Sequence, residues 1–188
     1  MPRLYVIIAS TRPGRKGPAL ANWIFDLAKT EASFDVQLID LKEINLPFMD
    51  ESHHPMQQTY EQAHTKAWSK LIAAADAFVI VTPEYNYSYP ATIKNAIDYL
   101  HHEWKYKPVA FVSYGGVAAG TRSVQALKQV VTTLNMMPID ESINVSGFEK
   151  YIDDKGVFNP ADGLEGAGLS MIRELRKWTE AMTSIRGN

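Results

Sequence analysis

Three short segments hold the residue types that a binding chemistry needs. The first, Ser10-Thr11-Arg12-Pro13-Gly14-Arg15-Lys16-Gly17, packs two hydroxyls, three cations and two glycines into eight residues. Hydroxyls give short donors, arginine gives bidentate ones, and glycine lets the backbone N–H approach a ligand. A small dianion such as a phosphate group suits that set. The second, Thr82-Pro83-Glu84-Tyr85-Asn86-Tyr87-Ser88-Tyr89-Pro90, carries two prolines, an asparagine and three tyrosines. Planar side chains on a rigid turn suit a planar ligand. The third, Ser113-Tyr114-Gly115-Gly116, offers two adjacent glycine N–H groups as donors to a developing negative charge. A flat ring bearing a phosphate, as in flavin mononucleotide (FMN), is the ligand these three loops describe. G-x-x-x-x-G-K-[ST] is absent, as is G-x-G-x-x-G after the first apolar run, which argues against P-loop nucleotide hydrolysis and a Rossmann dinucleotide site.

Each of these loops follows an apolar run and precedes an amphipathic stretch. Leu4 to Ala9, Ala77 to Val81 and Pro108 to Ser113 read as strands covered on both faces. Val36 to Leu41 gives a further strand, and the more polar Ile139 to Val145 reads as a strand nearer an edge. Between them, apolar residues recur at helical spacing from Leu20 to Leu27, Tyr60 to Ile72, Ile93 to Leu100, Val124 to Leu134 and Leu169 to Met182. Leu46 to Pro55 reads as a long loop, and so does the glycine-rich stretch from Asp153 to Gly168. Strands alternating with helices imply an α/β sandwich of three layers: a five-stranded parallel sheet with helices on both faces. The expected strand order is the flavodoxin-like 2-1-3-4-5, which opens a crevice between strands 1 and 3.

Composition narrows the class. The chain has 188 residues, 46% of them apolar, and is expected to form one domain spanning residues 1–188. A net charge of −2 supplies no field for nucleic acid, so no nucleic-acid partner is expected. There is no cysteine, which removes thiolate metal sites, disulfides and cysteine nucleophiles and fits a reducing compartment. No apolar run is long enough to span a membrane, and a cytoplasmic location is expected. The pairs His53-His54 and His101-His102 are discounted as metal ligands, because adjacent histidines on a regular element face different ways. No G-x-S-x-G elbow surrounds any serine, so Ser10 is not read as a nucleophile.

The same residues carry a resemblance. Ser10-Thr11-Arg12 with Gly17, then Pro83-Glu84-Tyr85-Asn86 with Lys94-Asn95-Ala96-Ile97-Asp98, then Gly115-Gly116 with Gly120 and Arg122, resemble the motifs of the NAD(P)H-dependent FMN reductase family. That family includes flavodoxin-like quinone, azo-dye and chromate reductases. The similarity runs from about Leu4 to Met182. Ala9, Ala91, Ala119 and Lys128 stand where members often have glycine, glycine, glycine and arginine. The resemblance implies that Ser10, Thr11, Arg12, Arg15, Lys16 and Gly17 hold the FMN phosphate. It implies that Pro83, Glu84, Tyr85, Asn86, Ser113, Tyr114, Gly115 and Gly116 line the ring. It implies NAD(P)H as reductant, a quinone, azo compound, flavin or metal oxyanion as acceptor, ping-pong turnover, and a homodimer or homotetramer. No catalytic acid or base is assigned, since the flavin carries the hydride chemistry. The helix Ala91–Leu100 with Tyr99, Trp104 and Tyr106 is the expected surface for the second subunit. The alternatives are a flavodoxin-type electron carrier without a nicotinamide site, or a flavin-free regulatory protein on the same fold.

Overall fold

The computed structural model describes residues 1–186. Five parallel strands form one sheet in the order β2-β1-β3-β4-β5, with β1 at Arg3–Ile8, β2 at Asp35–Asp40, β3 at Ala77–Pro83, β4 at Pro108–Gly115 and β5 at Met137–Ser146. The helices are α1 at Gly17–Glu31, a single turn α2 at Leu41–Ile44, α3 at Ala63–Ala73, α4 at Ala91–Asp98, α5 at Thr121–Thr133 and α6 at Leu164–Arg186. The expected fold class and strand order are the observed ones.

Alternation along the three inner strands builds two cores. Leu4, Val6 and Ile8 of β1, with Val79 and Val81 of β3, pack beneath α1 and α6. Tyr5 and Ile7, with Phe78 and Ile80, pack beneath α3, α4 and α5. Both faces of β1 and β3 are therefore dry, which is why those strands read as unbroken apolar runs. β2 and β5 lie at the margins and alternate with polar residues, as expected for β5.

Two expectations change. The stretch from Asp153 to Gly168 is only half loop. A hairpin-like bridge joins Ile152 to Phe158, and Phe158 is buried; α6 then begins at Leu164. Gly166 and Gly168 are thus helical, and Gly168 is needed there. A Cβ on it would lie 2.6 Å from Leu27 Cδ2, so glycine lets α6 approach α1 closely. Tyr99 and Trp104 are not subunit surface. They are 0% and 1% exposed, filling the core beside Trp68 and Phe78. Their polar atoms are spent inside the chain: Trp104 Nε1 donates to Ile97 O at 3.1 Å, and Tyr99 Oη lies 2.9 Å from Asp50 Oδ1. Tyr99 and Asn95 together hold the loop at Pro47–Asp50 against α4. Among the described residues, no helix is long and apolar enough to cross a membrane.

Candidate active site

β1, β3 and β4 end side by side, and the loops that follow them enclose a crevice of about 340 Å³. The first loop contributes Arg12, Gly14, Arg15 and Lys16. Pro83, Glu84 and Tyr85 come from the second, and Tyr114, Gly115 and Gly116 from the third. Phe148 and Glu149, in a single 3₁₀ turn after β5, close the far side. Those two carry no motif. The signal available for them was Gly147, a left-handed residue that stops β5 and turns the chain inward.

Ser10, Thr11, Gly17, Asn86 and Ser113 belong to the same loops without lining the crevice. Ser10 is fully buried, and Tyr114 Oη lies 3.2 Å from its Oγ. Burial pushes the Tyr114 phenol up to about 12, with the Ser10 hydrogen bond offsetting part of that shift, so it stays a neutral donor. A Cβ on Gly17 would stand 2.6 Å from Ser10 Oγ and 2.9 Å from Tyr114 Oη, so only glycine fits that seam between the first and third loops. Ser113 Oγ sits 2.8 Å from both Ala119 O and Asn144 Oδ1, tying the third loop to β5.

Arg15 is committed elsewhere. Its guanidinium pairs with both oxygens of Asp40 at the tip of β2 and donates to Ser10 O at 2.5 Å. Burial alone would raise the Asp40 carboxyl. The bonds from Arg15 and from Lys42 N–H outweigh it and hold the group below the ordinary carboxylate range. Arg12 and Lys16 are exposed and, among the described residues, form no ion pair.

The backbone supplies the rest. In the first turn of α1, Pro18 has no N–H and Ala19 N–H bonds Lys16 O. Among the described residues, the N–H groups of Thr11, Arg12 and Gly14 meet no protein acceptor, and neither does that of Gly116. Open donors of lining residues thus come from two loops: Arg12 and Gly14 beside the unpaired cations, and Gly116, where among the described residues nothing lies within 4 Å of a built Cβ. FMN fits this donor set, with a dianion for the first loop's donors and cations and ring carbonyls for the donor of the third. Ala119 occupies a left-handed conformation, φ 52°, which glycine would adopt at less cost.

Residues 2–150 match the family described as NADPH-dependent FMN reductase. The chain is 45% identical over 137 residues to an NAD(P)H-dependent FMN reductase of Schizosaccharomyces pombe, covering 72% of this chain and 68% of that one. It is 31% identical over 162 residues to a 2-hydroxy-1,4-benzoquinone reductase of Burkholderia sp, covering 82% and 84%. In three dimensions it is similar to FerB, a flavoenzyme NAD(P)H:(acceptor) oxidoreductase from Paracoccus denitrificans. The TM-score is 0.75 over 97% of this chain and 99% of that one, at 20% identity, a likeness of fold. The chain belongs to the NADPH-dependent FMN reductase family, flavoprotein oxidoreductases that draw electrons from NAD(P)H through FMN.

Proposed function

We propose that this chain binds FMN in the crevice and uses it to pass two electrons from NAD(P)H to a small-molecule acceptor such as a quinone, in two half-reactions on one open face. The observation that carries the reading is the pairing of open backbone donors with uncommitted cations in the loop after β1, in one crevice with the loops after β3 and β4. Bound there, FMN supplies the hydride-accepting ring, and the residues around it bind and orient.

Arg12 holds the phosphate together with the N–H groups of Thr11, Arg12 and Gly14, and Lys16 adds positive charge. Arg15 acts one step back: clamped to Asp40, it fixes the loop carbonyl at Ser10 and hence the direction of the donors. Pro83 and Tyr85 form one wall of the slot. The Gly115–Gly116 segment presents N–H to the end of the ring where negative charge accumulates on reduction. Glu84 is neutralised by Arg122, so this wall adds no net negative charge against that change. Phe148, packed edge-on against Tyr114 at 4.9 Å between ring centroids, shuts out water at the β5 side.

The test is the visible absorbance of the purified chain loaded with FMN, followed anaerobically. Addition of NADPH is expected to bleach the flavin band, and addition of a quinone to restore it. Initial rates with both substrates varied are expected to give parallel lines. Bleaching that fails identifies an electron carrier without a nicotinamide site; a chain that takes up no FMN identifies a flavin-free protein.

The reading includes a homodimer or homotetramer in the cytoplasm. Support for the assembly lies outside the crevice. Phe48, Met49 and Met56 are exposed beside a groove of about 640 Å³ that runs over the outer side of α4 and the end of α5. A monomer mass in light scattering would remove this part.

A further inference from the structure

The second loop contains a strained turn. Tyr85 N–H donates to Ser88 O at 2.9 Å and Ser88 N–H to Tyr85 O at 3.0 Å, closing a two-residue turn. Its central residues both have positive φ, 48° at Asn86 and 74° at Tyr87. This is the type I′ arrangement, which Asn-Gly satisfies without cost. Asparagine tolerates the conformation, whereas a bulky residue at φ 74° is an outlier that its surroundings must hold.

One side chain does the holding. Arg122, from the first turn of α5, lays its guanidinium carbon 3.8 Å from the centroid of the Tyr87 ring. The same guanidinium donates from Nε to Glu84 Oε1 at 2.5 Å and reaches that oxygen again through Nη2. It therefore grips the turn at both flanks, the residue before it and the strained residue at its tip. Between these grips lies Tyr85, whose ring lines the crevice. The Glu84 carboxylate is largely buried, and among the described residues its second oxygen meets no partner, so without Arg122 the loop would hold an unpaired charge as well as a strained tip.

We infer that Arg122 is a positioning residue: by stacking on Tyr87 and pairing with Glu84, it locks the Tyr85–Ser88 turn in a left-handed conformation and so sets the ring wall of the flavin slot, without touching the cofactor. This rests on the reading that the crevice holds FMN.

The experiment measures FMN affinity by fluorescence titration for four variants of the full chain, and backbone hydrogen exchange of Tyr85 and Ser88 in the chain as purified. Arg122→Ala is expected to weaken FMN binding about tenfold and to speed exchange at both amides. Arg122→Lys, which keeps the charge on Glu84 but lacks a flat face, is expected to lose most of the same affinity. Tyr87→Gly, which creates the Asn-Gly pair, is expected to bind within about threefold of the parent, and adding it to Arg122→Ala is expected to return at least half of the lost affinity on a logarithmic scale. A double variant as weak as Arg122→Ala alone would mean that Arg122 contacts the ligand directly, and would overturn the proposal. So would an Arg122→Lys chain indistinguishable from the parent, or an Arg122→Ala chain with unchanged amide exchange. Failure of the parent chain to bind FMN would sink the flavin reading by itself, because amide exchange reports on the turn with no cofactor added.

Discussion

Arg12 and Arg15 stand three positions apart and have opposite situations. Arg15 is spent on Asp40, while Arg12 is exposed beside the crevice and, among the described residues, forms no ion pair. Arg12→Ala is therefore expected to weaken FMN binding by roughly 1.5–3 kcal/mol, the worth of one charge-assisted hydrogen bond, with fold stability unchanged. Isothermal titration beside a melting curve checks both halves. The run Ser10–Gly17 stood out as a candidate anion loop because its hydroxyls, cations and glycines are concentrated after an apolar run, and the structure brings Arg12, Gly14, Arg15 and Lys16 to the crevice. The division of labour within it was not legible. It depends on Asp40, which stands twenty-five residues away and reaches the loop only because β2 pairs with β1. Charge-complementary residues at the tips of adjacent strands were the one available hint.

Among the elements, the three inner strands were plain from their apolar runs and the edge strands from their alternation. The start of α6 was concealed by glycine. Gly166 and Gly168 argue for a loop on propensity, but packing overrides that preference where two helices must touch. Gly168→Ala tests the override. The added methyl would intrude on the end of the Leu27 side chain, which can rotate aside at a cost of about 1–2 kcal/mol. The melting temperature is expected to fall by about 2–4 °C for each kcal/mol, despite alanine's better helix propensity. A chain that melts higher would show that propensity, not the contact with α1, governs this site. The aromatic residues after α4 misled for a related reason. Tyr99 and Trp104 sit where a surface was expected, yet the turn beyond α4 folds back and carries them under α3, where backbone carbonyls and Asp50 satisfy their polar atoms.

For the molecule as a whole, the opposite end of the sheet holds a buried cation. Lys107 is 5% exposed, and its ammonium donates to Ile72 O and Ala73 O at the end of α3. Burial, aided by the charge of Arg186, lowers its pKa from 10.5 to about 8. Between those values the folded chain has released a proton that the unfolded chain still binds, so this group makes stability rise with pH across the window; below pH 8 its full penalty is present. Lys107→Met is expected to flatten that rise by at most about 3 kcal/mol, read as the difference between urea midpoints at pH 8 and pH 10. The raised phenols of Tyr5, Tyr60, Tyr99 and Tyr114 act in the opposite sense as pH 10 is approached, and comparing the two chains at each pH cancels them. A Lys107→Met chain whose stability changes over that interval just as the parent's does would mean that the ammonium is better solvated than its surroundings imply. The sheet margin has a bearing on how copies of the chain can meet. β5 hydrogen-bonds β4 on one side only, and Asp140 and Glu141 lie exposed in the middle of it. Two adjacent carboxylates on a bare strand repel their own image, so edge-to-edge growth of a continuous ribbon is disfavoured. At this margin the sequence itself therefore works against two copies joining strand to strand.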